Sequence, residues 1–281
     1  MATIAELESI SSQVRRDIIR MVNGCSSGHP GGSLGCADLM SALYFKELDI
    51  KPENFTIEGN KEDMFFLSNG HISPVWYSVL SRRGFFPTEE LATFRQLGSR
   101  LQGHPTPKYN LPGVRVASGS LGQGMSVGIG AALAKKMNGC GHLVYTLHGD
   151  GELQEGQIWE AVMFAGSNKV DNLISIIDYN NAQIDGKVDN VLTLGNLKEK
   201  FLAFNWEVVE MQGNDMEDCL RGLNDAKSLT KNGKPVVILM HTLMGYGVDF
   251  MQGLNKWHGT APTDEQATNA LSQLKETLGD Y

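Results

Sequence analysis

Two short polar motifs, Gly149-Asp150-Gly151 and Asn180-Asn181, each follow an apolar run, and together they constrain the fold of this chain more than any other feature. Residues 143–147 are apolar and β-prone, and Gly149-Asp150-Gly151 breaks that run. A helix-like segment follows, then a second buried-strand run at 173–177 that ends in Asp178-Tyr179-Asn180-Asn181. Asp150 and Asn180 therefore fall just past the carboxyl ends of predicted parallel strands, where open α/β sheets bind their ligands. The flanking glycines let the backbone approach a bulky anion. A carboxylate and an amide oxygen suit Mg²⁺ or Ca²⁺ completed by phosphate oxygens and water, and suit Zn²⁺ poorly. Taken singly, Gly-Asp-Gly is a common turn and Asn-Asn a common loop. Joined across one strand–helix–strand unit, they read as a metal–diphosphate site.

The rest of the chain repeats the same alternation. An amphipathic helix is predicted over 5–23, from Leu7, Ile10, Val14, Ile18, Met21 and Val22. After a Gly-rich turn, Ser33 is placed to cap a helix over 36–47. A buried strand is expected at 63–67, helices at 74–82 and 88–95, and a long Gly/Pro-rich loop over 98–124. Loops of that length are usually functional. The helix over 122–137 is rich in small residues, which suits either a subunit or cofactor-facing interface or tight core packing. Helices near 196–203 and 215–228, strands at 206–209 and 235–241, and a last helix over 263–278 complete the pattern. Strands alternating with helices predict a doubly wound, mostly parallel α/β sheet flanked by helices. No linker or repeat divides residues 1–281, so one domain is expected.

The net charge of −8 and pI near 5.4 argue against nucleic acid and anionic membrane as partners, since both call for a basic face. No apolar run reaches membrane-spanning length. Residues 1–6 lack the basic and apolar regions of a signal peptide. Cys25, Cys36, Cys140 and Cys219 include no Cys-x-x-Cys pair. Reduced thiols and a cytoplasmic location are therefore expected.

Four of the seven histidines, His29, His71, His104 and His258, lie in Gly/Pro-rich turns that the strand pattern places on one sheet edge. His142, His148 and His241 lie in or beside strand runs and read as structural. A zinc site is the weaker reading, because no two of the four share ligand spacing on one element. Neutral histidines can donate hydrogen bonds to carbonyl and hydroxyl oxygens and relay protons near pH 7.

Gly-Asp-Gly followed by Asn-Asn, with residues 152–179 between them, resembles the thiamine diphosphate fingerprint. The ordered set Ser27-Gly28-His29-Pro30-Gly31-Gly32, Leu67-Ser68-Asn69-Gly70-His71, Gly103-His104-Pro105, Leu121-Gly122-Gln123-Gly124, Gly149 to Gly156, Ile184-Asp185-Gly186, Gly245-Tyr246-Gly247 and His258-Gly259 resembles the amino-terminal, diphosphate-binding half of transketolase. The resemblance covers essentially the whole chain and implies a thiamine diphosphate-binding fold. It implies metal ligation by Asp150, Asn180 and the carbonyl of Ala182, with Mg²⁺ the default and Ca²⁺ or Mn²⁺ possible in its place. Gly151 then lies against the diphosphate, with His71 and His258 near it. Leu121 and Gly122 contact the aminopyrimidine and thiazolium, and Ile184 flanks the cofactor. His29, His104 and His258 contact the sugar.

Glu155 and Glu160 resemble acidic residues that link two active sites at a subunit interface. From the residues alone, a solvated or helix-N-terminal role serves these two equally well. The resemblance also implies a separate pyrimidine-binding partner chain, two of each chain in the assembly, and sugar phosphate substrates. Within the same cofactor class, a split deoxyxylulose phosphate synthase-like enzyme or a 2-oxo acid-decarboxylating subunit is the alternative. Ser27-Gly28-His29-Pro30 and Gly103-His104-Pro105 favour transketolase. A dinucleotide loop at Gly122-x-Gly124 lacks both a preceding strand and an acidic residue ending the next one.

Overall fold

The structure is a computed structural model and describes residues 2–281. Five parallel strands form the main sheet: β1 (Met64–Leu67), β2 (Val144–Gly149), β3 (Leu173–Tyr179), β6 (Glu207–Gln212) and β7 (Val236–His241). Their order is β1-β2-β3-β7-β6. A two-stranded antiparallel hairpin, β4 (Ala182–Gln183) and β5 (Gly186–Lys187), stands beyond the end of β3. The helices are α1 (Ile4–Gly24), α2 (Pro30–Gly35), α3 (Ala37–Ala42), α4 (Ser73–Arg82), α5 (Gln123–Met137), α6 (Gly156–Ser167), α7 (Val188–Leu192), α8 (Leu197–Ala203), α9 (Met216–Ser228) and α10 (Asp264–Gln273).

Alternation along the central strands builds a core on each face of the sheet. On β7, Val236, Ile238 and Met240 join one core while Val237 and Leu239 join the other. The first core also takes in Val14, Ile18 and Val22 of α1 and the apolar faces of α3, α4, α9 and α10. The second receives α5, α6 and α8. Strands buried on both faces explain why 173–177 and 235–241 read as continuous apolar runs rather than alternating ones. The glycines of α5 divide between the two expectations for that helix. A side chain on Gly124 would meet Ser68 Cβ at 2.3 Å, and one on Gly128 would meet Thr146 Cγ2 at 2.4 Å, so these two serve close packing on the sheet. Gly130 faces open space.

Four local expectations need correction. The helix predicted over 36–47 is α3 running into a π turn at Leu43–Glu47, and a separate short helix, α2, precedes it over residues that were read as a turn. Pro30, with φ already suited to a first turn, starts α2 earlier. Ser33 therefore lies inside α2 and is not a cap; its hydroxyl donates back to the His29 carbonyl at 2.7 Å. Residues Thr88–Thr93 form a 3₁₀ helix and not an α-helix, and Arg95 turns left-handed at φ 58°. The last helix ends at Gln273, where buried Leu274 becomes extended and leads the remaining residues onto α1. Neither the β4–β5 hairpin nor α7 was visible in the apolar periodicity, because elements of two to five residues carry too little of it.

Candidate active site

The carboxyl ends of β1, β2, β3 and β7 open into one cleft of about 290 Å³. Parallel strands in register make their ends level, with Gly149 opposite Asp178 and Tyr179 opposite His241. Each strand then delivers its following turn to the same place. β1 leads to Asn69 and His71, β2 to Asp150 and Gly151, β3 to Asn180 and the hairpin, and β7 to Met244. His29 enters just before α2, His104 and Leu121 from the long loop, and His258 from a 3₁₀ turn at Asn255–His258. Ten of the eleven residues singled out from sequence line the cleft: His29, His71, His104, Leu121, Asp150, Gly151, Asn180, Ala182, Ile184 and His258. Gly122 stands one layer behind, its N–H donated to Glu152 at 2.8 Å.

The imidazoles of His29, His71 and His258 form a triangle. Their ring centroids lie 5.0 Å apart for His29–His71, 5.0 Å for His71–His258 and 5.7 Å for His29–His258. Burial disfavours their charged forms, and neighbouring positive charge adds to this at His29 and His71. His29 is lowered to about 4, by burial first, then by His258, Arg95 and His104. His71 lies well below the usual imidazole value, and His104 and His258 are lowered as well. At neutral pH the cluster offers neutral rings, each with one N–H donor and one lone pair.

The opposite wall is acidic. Asp150 Oδ1 accepts from Gly151 N at 2.8 Å, and its Oδ2 accepts from Asn181 N at 2.5 Å. Asn181 can turn this backbone toward Asp150 because asparagine tolerates its left-handed φ of 55°. Asn180 is held at both ends: Nδ2 donates to Asp178 at 2.8 Å, and Oδ1 accepts from Ala182 N at 2.8 Å. Burial raises Asp150 to about 7, helped by the Asp178 charge, and burial raises Asp178 to about 6. No cationic group offsets either carboxylate among the described residues.

Such a corner fits a bound cation. The described residues include no cluster of three or more His, Cys, Asp or Glu able to hold a metal alone. A hard cation here would therefore draw further oxygens from its ligand and from water. The wall also fits a diphosphate-bearing cofactor. Buried His29 Nδ1 and His258 Nδ1 have no partner within the protein and can donate to phosphate oxygens, while the equally unpartnered Asn69 Oδ1 and Gln183 Oε1 are acceptors that suit a cation or an N–H of the cofactor. A side chain on Gly151 would reach Gln183 Oε1 at 3.0 Å, filling the space a phosphate could approach.

Sequence reasoning missed three contributors. Asp178 is a fully buried acid within an apolar strand, and that contrast was its available signal. Asn69 lay inside a quoted motif but was given no part. Glu152 looked like one more acid of a Gly-rich turn, yet it is 3% exposed. Glu155 and Glu160 are both exposed on the outer side of the α6 amino-terminal region.

The family model for transketolase, thiamine diphosphate binding domain, matches residues 8–279. An apulose-4-phosphate transketolase subunit of Phocaeicola vulgatus is 38% identical over 275 residues, covering 98% of this chain and 96% of that protein. A 6-deoxy-6-sulfo-D-fructose transketolase subunit of Clostridium sp. is 36% identical, covering 96% of this chain and 97% of that one. Among solved structures, transketolase from Campylobacter jejuni superposes with a TM-score of 0.87 at 35% identity, covering 98% of this chain. The chain spans 43% of that transketolase and 42% of the human enzyme, to which it is 31% identical. A polar cleft at the strand ends and a matched family model together lead to one conclusion: this chain belongs to the transketolase family, as its thiamine diphosphate binding domain.

Proposed function

We propose that this chain, as one module over residues 1–281, is the diphosphate- and Mg²⁺-binding subunit of a transketolase that moves a two-carbon ketol unit from a ketose phosphate to an aldose phosphate. The observation that carries this reading is the neutral histidine triangle facing the uncompensated Asp150–Asp178 corner across one cleft. Thiamine diphosphate, when bound, supplies the carbon nucleophile for breaking and remaking the ketose carbon–carbon bond.

The chain's own residues hold, orient and move protons. Asp150, Asn180 and the Ala182 carbonyl would hold the cation, and Gly151 would leave room for the diphosphate beside it. Asp178 fixes the Asn180 amide so that its carboxamide cannot turn away. His71 and His258 face the diphosphate side, while Leu121 and Ile184 flank the rings and Gly122 supports Leu121 from behind. His29 and His258 take and return the proton at the C3 hydroxyl and at the acceptor carbonyl. His104 grips the C1 hydroxyl. Neutral rings suit this work, since each can give a proton from one nitrogen and take one at the other.

A separate pyrimidine-binding chain completes the site in this reading, two of each chain forming the assembly, with Glu155 and Glu160 facing the junction. Support comes from two relatives that are themselves named as transketolase subunits and match over 96% of their own length. The names of the relatives also make apulose 4-phosphate and 6-deoxy-6-sulfo-D-fructose donors to set beside pentose phosphates. Four free thiols suit a reducing, cytoplasmic setting. No helix among the described residues is long and apolar enough to cross a membrane.

Ketol transfer to ribose 5-phosphate tests the reading, with thiamine diphosphate and Mg²⁺ and with xylulose 5-phosphate or either named sugar as donor. The expected result is activity when the co-purifying chain is present and none without it. Activity of this chain alone would overturn the two-chain part. Cofactor binding with turnover of 2-oxo acids but no ketose would overturn the reaction.

A further inference from the structure

Beneath the cleft wall, one buried carboxylate gathers donors from three separate segments. Glu152 Oε1 accepts from the Ser68 hydroxyl after β1 and from Gly122 N at the start of α5. Its Oε2 accepts from Gly149 N at the end of β2, at 3.1 Å. Ser68 Oγ in turn accepts from Gly124 N at 3.1 Å. On the far side, His148 Nδ1 lies 3.5 Å from Glu152 Oε1, and both side chains are essentially inaccessible.

The polar chain behind His148 fixes which way its protons point. Ser175 donates to Met125 Sδ at 3.2 Å and Thr146 donates to Ser175 at 2.9 Å. The Thr146 oxygen is left to accept from His148 Nε2 at 2.8 Å. With the Nε2 proton so assigned, Nδ1 makes no hydrogen bond to Glu152, whose carboxylate is held by Ser68, Gly122 and Gly149 alone.

We propose that Glu152 is a positioning residue for the cofactor: its carboxylate sets the Gly122 and Gly149 backbone of the wall and thereby the affinity for thiamine diphosphate. This rests on the cofactor reading above. Only an acceptor-only group can serve a hydroxyl and two backbone N–H groups at once. A glutamine of the same shape would turn its own N–H₂ against one of them. Glycine reaches the φ of +84° that Gly122 adopts without strain, and a side chain there would meet Gln157 Nε2 at 2.5 Å, but the same freedom leaves the turn other conformations. The carboxylate is the tie that keeps this left-handed turn against β2. Hydrogen bonds to a charged acceptor are the stronger kind, so the tie should show in both dynamics and binding.

The experiment compares the wild-type chain with Glu152→Gln, Glu152→Ala and Ser68→Ala. Calorimetry measures thiamine diphosphate binding with Mg²⁺ to each variant assembled with the co-purifying chain, and amide hydrogen exchange follows Gly122 and Gly149. Glu152→Gln should weaken binding by about tenfold or more and speed exchange by a similar factor at whichever glycine its N–H₂ faces, and Glu152→Ala at both, as expected for a lost charged hydrogen bond. Ser68→Ala should shift both in the same direction by a few fold, and it decides the matter if Glu152→Ala does not fold. Lower thermal midpoints with unchanged affinity and unchanged exchange at the two glycines would overturn the proposal. If the wild-type assembly with its co-purifying chain binds no thiamine diphosphate, the cofactor reading fails, while unchanged glycine exchange in Glu152→Gln and Glu152→Ala would separately defeat the role given to Glu152.

Discussion

The cleft and the seam beneath α1 both bury charged groups, and they treat them in opposite ways. In the seam every major charge has a partner. Asp17, fully buried, accepts two hydrogen bonds from Arg82, at 2.7 and 2.9 Å, and one from Ser78 at 2.7 Å. Arg15 pairs with Asp38, and Lys227 with Glu47 at 2.7 Å. Arg16 clasps Asp280 at 2.7 Å and also donates to the Leu271 and Leu274 carbonyls. At the cleft, Asp150 and Asp178 have no cation, and buried atoms of His29, His258, Asn69 and Gln183 have no partner. Burying an unpaired polar group costs stability. The seam pairs its buried carboxylates with arginine or lysine, leaving only single atoms such as Arg15 Nε unpartnered, and Arg16–Asp280 ties the two ends of the chain together, whereas the cleft leaves its carboxylates for a ligand to satisfy.

Breaking the seam should give the largest effect on stability. Asp17→Ala leaves Arg82 buried without its partner, and chemical denaturation should show a loss of about 3–5 kcal/mol. The mirror experiment in the cleft is Asp150→Ala. It should leave unfolding free energy unchanged or raise it, because it removes a desolvated charge, while Mg²⁺-dependent thiamine diphosphate binding falls by about a hundredfold or more, as for an ion pair lost from a buried site. A fall in stability matching that of Asp17→Ala would erase the contrast between the two regions.

The third prediction concerns pH. His29 has a folded value near 4 against an ordinary value of 6.5, so the unfolded chain binds more protons between them. Its contribution is therefore fully present above about pH 6.5 and lost as pH falls toward 4. The stability difference between wild type and His29→Asn should change across that window and level off outside it. The smallest effect belongs to the rim of the seam. Asp280 is held near 2 by hydrogen bonding to Arg16, so its contribution is present above about pH 3.8 and lost as pH falls through 2. Asp280→Asn should cost roughly 1 kcal/mol at neutral pH, since the pair is partly solvated, and the difference should vanish in acid.

Much of this molecule could be read before it was seen folded. Continuous apolar runs in β3 and β7 announced strands buried on both faces. Gly149-Asp150-Gly151 and the glycine- and proline-bound histidines announced the site, because backbone breaks after strands are a local property of the residues themselves. Helix ends depended on subtler choices. Pro30 started α2 before the apolar spacing did, and the extended Leu274 stopped α10 short of 278. What the sequence could not reveal was pairing across distance. Ser68 meets Glu152 from 84 residues away, and Asp17 meets Arg82 from 65. The sequence by itself determined which segments become strands and which turns carry chemistry, because propensity and period act over a few residues. Only the tertiary structure decided which buried charges are neutralised and which are left open to a ligand, because that depends on what the sheet order β1-β2-β3-β7-β6 brings together.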